Sequence, residues 1–186
     1  MSTIINWVYY LTTAPFSWFF QATGLSTKKA NLLIIGLDNS GKTTLLGLMR
    51  NDKIMCHEPT AHPNMEELLI GNIRFTAHDL GGHTAARRLW KSYHANTDCV
   101  LFMVDATDSY RIQECRQELY RILADSNKTP VCIIGNKIDA PGAYSEHHLR
   151  TLLGIDENEI NVGLFMCSVV KRAGIQAAFK WIATKL

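Results

Sequence analysis

Residues able to grip a phosphate chain come first along this sequence. Gly36-Leu37-Asp38-Asn39-Ser40-Gly41-Lys42-Thr43 has the spacing G-x-x-x-x-G-K-[ST], follows an apolar run from Asn31 to Ile35 and precedes a helix-like run from Thr44 to Met49. In that setting the glycines let the backbone curl so that successive N–H groups point inward. With the helix N-terminus behind them, those amides make a concave positive site for phosphate oxygens. Asp38, Asn39, Ser40, Gly41, Lys42, Thr43 and Thr44 are therefore the expected contacts to a nucleoside triphosphate. Lys42 should reach the β- and γ-phosphates, and Thr43 should place its hydroxyl on Mg²⁺, a hard cation that takes oxygen ligands and keeps several waters.

A second cluster, Asp79-Leu80-Gly81-Gly82-His83, ends another apolar run. Asp79 offers a carboxylate to the water shell of the metal. Gly82, with no side chain in the way, can bring its N–H to the γ-phosphate. His83 follows at the address where a neutral imidazole would orient the attacking water, which is most of what a protein does in phosphoryl transfer to water. Thr60, beside Pro59 in a polar stretch from Met55 to Asn64, is the candidate for a second hydroxyl on the metal. Loops around Thr60 and His83 would then be ordered by the triphosphate and released after hydrolysis.

The base is chosen elsewhere. Asn136-Lys137-Ile138-Asp139 follows a buried-strand pattern. Guanine shows N1–H and N2–H₂ donors on one edge, which the Asp139 carboxylate can accept together, whereas adenine has no matching pair. Asn136 can bond the other side of the ring and help tie down the phosphate loop, and the stem of Lys137 can lie on the base. Cys167-Ser168-Val169, at a further strand end, is expected to aim the Ser168 N–H at guanine O6. These residues point to GTP and GDP with Mg²⁺. Alternatives are a module that signals by GTP occupancy with negligible hydrolysis, and an ATP-dependent kinase, which the Asn136 to Asp139 motif disfavours.

The elements that must hold these residues alternate along the chain. Strand patterns run from Met65 to Ile70 and Ile73 to Asp79 around the two-residue connection Gly71-Asn72, and again over Cys99–Asp105, Val131–Asn136 and Gly163–Cys167. Helical patterns run over Arg111–Leu123, Ser145–Leu153 and Ala173–Leu186. The hairpin pairs two strands antiparallel, and the alternation that follows predicts an α/β fold with a mostly parallel six-stranded sheet and helices on both faces. Ligands in such sheets lie beyond the C-terminal strand ends, where the phosphate loop already sits.

Composition narrows the partners. The chain has 186 residues, 47% of them hydrophobic, and a formal charge of +2, which fits one globular domain at residues 24–186. No basic cluster marks a nucleic-acid partner. The odd number of cysteines, Cys56, Cys99, Cys115, Cys132 and Cys167, contains no C-x-x-C pair and reads as reduced, mostly buried thiols.

Residues 1–23 belong to a different kind of surface. Ile4, Trp7, Val8 and Leu11 share a helical face, Pro15 ends or kinks that helix, and Phe16, Trp18, Phe19 and Phe20 follow, all without a charge. Polar interruptions disfavour a spanning helix, and Trp and Tyr favour the headgroup level, so an amphipathic segment binding a membrane surface is expected, with packing on the domain's own surface as the alternative in the resting state. Position 2 is Ser, which removes the glycine that myristoylation requires. No arginine in the phosphate loop or the Thr60 loop is placed as a finger. Arg87 and Arg88, on a helix after His83, are expected to form a partner-binding surface, and intrinsic hydrolysis is expected to be slow.

Together these residues resemble small GTPases of the Arf/Sar type, and the Sar branch most closely. The resemblance rests on Gly36 to Thr44, on Asp79 to His83 with Ala86-Arg87-Arg88-Leu89-Trp90-Lys91, on Gly135 to Asp139 and on Phe165-Met166-Cys167-Ser168. His83 in place of a common Gln, and an aromatic N-terminus without a lipidation glycine, favour Sar over Arf. The resemblance implies GTP-dependent insertion of the N-terminus into the endoplasmic reticulum membrane and recruitment of coat protein complex II for ER-to-Golgi budding. It also implies hydrolysis stimulated by a coat subunit that supplies an arginine, and an exchange factor in that membrane. The chain departs from the family in the brief stretch from Gly154 to Val162 and in the sequence after Pro59-Thr60.

Overall fold

Strands that are apolar along their whole length need cover on both sides. The computed structural model describes residues 28–51, 64–70, 73–125, 129–156 and 159–186. In chain order these form β1 (Lys28–Gly36), α1 (Lys42–Asn51), β2 (Asn64–Ile70), β3 (Ile73–Asp79), a 3₁₀ turn (Ala86–Leu89) and α2 (Trp90–His94). They continue as β4 (Cys99–Asp105), α3 (Ile112–Asp125), β5 (Val131–Asn136), α4 (Glu146–Leu153), β6 (Val162–Met166) and α5 (Ile175–Lys185). One six-stranded sheet results, in the order β2-β3-β1-β4-β5-β6. β2 is antiparallel to β3, and every other pairing is parallel, which is the architecture expected from the alternation.

Period-two side chains divide the core. From β1, Leu32 and Ile34 face one side with Leu101 and Met103 of β4, where α1 (Leu45, Leu46, Leu48) and α5 (Ile175, Ala178, Phe179, Ile182) cover them. Their neighbours Leu33, Ile35, Val100, Phe102 and Val104 face the other side, under α2 (Trp90), α3 (Cys115, Leu119, Ile122) and α4 (Leu149, Leu153). Beyond shifts of one or two residues at element ends, the structure differs from the sequence reading at the first strand and after His83. β1 begins at Lys28 rather than Asn31, because Lys28, Lys29 and Ala30 pair with Ile73, Arg74 and Phe75; ladder hydrogen bonds extend the strand beyond the apolar run. The helix expected after His83 is a 3₁₀ turn that passes into the short α2.

Cys99, Cys115, Cys132 and Cys167 are buried and unpaired. Burial pushes the thiols of Cys99, Cys115 and Cys167 up to about 12, and that of Cys132 upward too, so they are inert packing groups, as expected. Among the described residues, no helix is long and apolar enough to cross a membrane. The segment 1–23, Cys56, the Thr60 loop and Gly71-Asn72 lie outside the described residues.

Phe179 on α5 packs edge-on against Phe75 of β3, with ring centroids 6.5 Å apart, and both side chains are buried. Phe179→Ala should therefore destabilise the domain by about 3–5 kcal/mol. Urea unfolding at fixed GDP and Mg²⁺ concentrations checks this, the ligand being held constant because it shifts apparent stability.

Candidate functional site

Parallel strands deliver their C-terminal ends to one edge of the sheet, and each candidate cluster sits there. After β1 the chain turns through Asn39 (φ 63°) and Gly41 (φ 97°) before α1 begins at Lys42. A Cβ on Gly41 would lie 2.4 Å from Nδ2 of Asn136, so both its torsion and its neighbour demand glycine. The Leu37 carbonyl gathers the loop: it accepts from Ser40 Oγ at 2.8 Å and from Lys42 Nζ at 2.9 Å. Lys42 is buried. Burial lowers its pKa to about 8 against the attraction of Asp79 and Asp38, and an ammonium held this way has more to gain from phosphate oxygens than an exposed one. Asn39 is exposed, Thr44 half-buried in the first turn of α1.

At the candidate metal position, Thr43 Oγ1 donates to Asp79 Oδ2 at 2.8 Å. A hydroxyl and a fully buried carboxylate in contact are hard oxygen donors that fit Mg²⁺. Asp79 ends β3, and its loop folds back onto the phosphate loop: a Cβ on Gly82 would lie 2.2 Å from the Asp38 backbone nitrogen. No other residue type fits that approach.

His83 is exposed, and its Nδ1 accepts the Ala86 N–H at 3.0 Å. In the neutral ring the proton then sits on Nε2, which can donate to a water oxygen. Arg87 corrects the sequence reading. Its side chain is 8% exposed and bonds Glu114 at 2.8 Å and Glu118 at 3.2 Å on α3, while its Nε donates to the Gly82 carbonyl at 2.7 Å. It is an internal strut rather than partner surface, because the expected helical face turns towards the α3 carboxylates. Arg88 is exposed. Trp90 adds a second brace, its Nε1 donating to the Gly81 carbonyl at 3.1 Å.

On the base side, Asn136 Nδ2 donates to the Ser40 carbonyl at 2.9 Å, tying the strand end to the phosphate loop. Its Oδ1 accepts from Val169 N–H at 3.1 Å and the Cys167 thiol at 3.6 Å, so only the second Nδ2 hydrogen remains for a base. Asp139 is exposed and takes a hydrogen bond from Ser168 Oγ at 2.5 Å, which holds its pKa below the usual carboxylate value. The hydroxyl in turn accepts the Lys171 N–H at 3.0 Å. The expected use of the Ser168 N–H does not hold: that amide donates to Ala173 at 3.0 Å in a β-bridge, and Ser168 acts through its hydroxyl. Within this turn the amide of Val170 has no partner among the described residues.

Lys137 reveals a residue that the sequence reading missed. Its Nζ lies 2.5 Å from Asp105 Oδ2 at the end of β4. Burial opposes ionisation of Asp105, but the Lys137 and Thr107 hydrogen bonds prevail and lower its pKa. A carboxylate ending an otherwise apolar strand was the available signal. Arg111 was missed too, and its Nη1 reaches Asp38 Oδ1 at 2.9 Å.

Residues 16–186 match the ADP-ribosylation factor family. The chain is 38% identical to the small COPII coat GTPase SAR1 of Giardia intestinalis, covering 91% of this chain and 97% of that protein. It is 36% identical to the small COPII coat GTPase SAR1 of Nicotiana tabacum, covering 89% and 96%. The fold superposes on the Arl6 BBS3 small GTPase from Trypanosoma brucei with bound nucleotide analogue GppNp at a TM-score of 0.75 and 28% identity, covering 84% of this chain and 96% of that one. Likeness of this extent, over a site built to receive a phosphate chain, settles the lineage: the chain belongs to the ADP-ribosylation factor family and is a small GTPase of the Sar/Arf type, which binds GTP and GDP and hydrolyses the first to the second.

Proposed function

We propose that this GTPase is a Sar-type membrane switch. With GTP bound, residues 1–23 insert into the cytosolic face of the endoplasmic reticulum membrane and coat protein complex II is recruited for budding towards the Golgi. Hydrolysis to GDP releases both. An exchange factor in that membrane loads GTP. The observation that carries the reading is the path from the phosphate loop outwards: Gly82 rests on the Asp38 backbone, and its carbonyl is held by Arg87, which is clamped to Glu114 and Glu118. A γ-phosphate that moves Gly82 therefore moves a strut reaching α3. The similarity to SAR1 relatives supports the coat and membrane assignment.

In the reaction, the oxygen of a water attacks the γ-phosphorus, the bond to the β–γ bridging oxygen breaks, and the water proton leaves with the phosphate. Inward amides of residues 38–43 and the Lys42 ammonium hold the phosphate charge, and Gly82 N–H meets the γ-phosphate. Thr43, Asp79 and Thr60 would hold Mg²⁺, which neutralises the β- and γ-oxygens when bound. His83 donates from Nε2 to the attacking oxygen and fixes its approach. Asn136, Lys137 and Asp139 hold the base, with Ser168 and Val169 behind them. Arg87 and Arg111 are each committed to carboxylates, so the transition state lacks a cis arginine from either. An arginine from a coat subunit would raise the rate by roughly 10³–10⁵.

His83→Gly should lose stimulated hydrolysis by about 10²–10⁴ while retaining GTP binding; single-turnover hydrolysis with coat subunits checks this, and turnover at the wild-type rate would remove His83 from the mechanism. Lys42 binds phosphate as the ammonium. Its pKa near 8 in the free site means that below pH 8 the proton is already present, whereas above it binding must take one up. GDP affinity should therefore fall as pH rises through 8, by up to about tenfold per unit, as read from association and dissociation of a fluorescent GDP. Deletion of residues 1–23 should abolish GTP-dependent flotation with liposomes and spare nucleotide binding. Undiminished flotation would sink the anchor.

A further inference from the structure

The loop between β4 and α3 takes no part in the steps above, yet it reaches the phosphate loop. Arg111 spans the gap: Nη1 lies 2.9 Å from Asp38 Oδ1, Nη2 3.2 Å from the Asp38 carbonyl, and Nε 2.6 Å from Asp108 Oδ2. Its own amide donates to Asp108 Oδ1 at 3.1 Å, so Asp108 aims the guanidinium and Asp38 receives it.

Asp38 is an odd residue to find in a cradle for a polyanion. Its backbone nitrogen is the atom that a Cβ on Gly82 would strike, which sets it at the end of the cradle where Gly82 arrives and the terminal phosphate is expected. A bare carboxylate there repels every phosphate oxygen, and the γ-phosphate most. We propose that Arg111 is the positioning residue that makes this acidic loop accept a triphosphate: by neutralising Asp38 it sets the preference for GTP over GDP.

Two further observations fit. Asp38 and Arg111 both act on Lys42, the first favouring and the second opposing its charge, so the pair lies within electrostatic range of the phosphate-binding ammonium. Burial opposes ionisation of Asp38, but the Arg111 hydrogen bond and charge outweigh it and hold the carboxyl below its usual value. The carboxylate is thus ionised at every pH where the protein works, and its charge must be met. A purely structural role, with Arg111 and Asp108 stabilising the start of α3, would affect GDP and GTP alike.

The inference rests on the guanine-nucleotide reading of the site, and release of a fluorescent GDP and a fluorescent non-hydrolysable GTP analogue from the full chain with Mg²⁺ tests it. Arg111→Gln should speed release of the GTP analogue by about tenfold, the scale of an uncovered charge near phosphate in a partly exposed site, and release of GDP far less. Adding Asp38→Asn should return the ratio of the two rates to the wild-type value, and Arg111→Lys should restore part of it. Equal factors for both nucleotides, or no recovery with Asp38→Asn, overturn the inference. Should Arg111→Gln fail to fold, Asp38→Asn alone decides: slower release of the GTP analogue is expected, and equal or faster release overturns it. A wild type that holds neither nucleotide overturns the guanine-nucleotide reading and this inference together.

Discussion

An ammonium without a full counter-charge is the condition on which the molecule is built. Lys42 is 6% exposed, and its Nζ donates to a neutral carbonyl, that of Leu37, at 2.9 Å. Taking a charge out of water costs several kcal/mol unless another charge meets it, and the depressed pKa of Lys42 records that cost. Helix α1 begins at this residue, so its unpaired amides and the positive end of its dipole add to the same deficit. Phosphate oxygens remove it. A ligand that supplies them therefore stabilises the folded loop.

Asn136 extends that coupling to the base. One side-chain amide joins the phosphate loop through Ser40 and the β6 turn through Val169, and keeps one hydrogen for a ligand. Because the amide is nearly saturated by protein groups, its role is to hold two ligand-binding loops at a fixed separation. In the proposed reading specificity falls on Asp139, whose exposed carboxylate is aimed by the Ser168 hydroxyl. The same division appears at Lys137, where Asp105 holds the ammonium and leaves the stem free to lie along a ring. Each residue proposed to meet the base is thus braced by a neighbour.

What was legible in the sequence was local. The phosphate loop announces itself because its spacing is dictated by backbone torsions, and φ values of 63° at Asn39 and 97° at Gly41 are the torsions such a loop needs. The antiparallel hairpin could be read from a two-residue connection, and the parallel strands from unbroken apolar runs. Illegible features were those decided by a partner distant in sequence. Arg87 and Arg88 look equivalent until Glu114 and Glu118 are found beneath the first. Ser168 offers an amide and a hydroxyl, and only the bridge to Ala173 shows which is spent. Asp38 reads as a loop residue like its neighbours, since its pairing with Arg111 spans 73 positions. Thr60 and the first 23 residues rest on motif and composition alone.

Magnitudes explain how one phosphate could work such a device. Moving a two-state equilibrium from 1:99 to 99:1 takes a differential affinity of about 5.5 kcal/mol. Hydrogen bonds to charged groups contribute roughly 1.5–3 kcal/mol each, so two to four of them made only with the γ-phosphate are enough. A switch of that size requires no large rearrangement of the core. The core in fact resists one: Gly82 sits 2.2 Å, by its absent Cβ, from the Asp38 nitrogen, and Arg87 links its carbonyl to two carboxylates on α3. With contacts that tight, the Arg87 strut couples Gly82 to α3, so a displacement at Gly82 would be felt at Glu114 and Glu118.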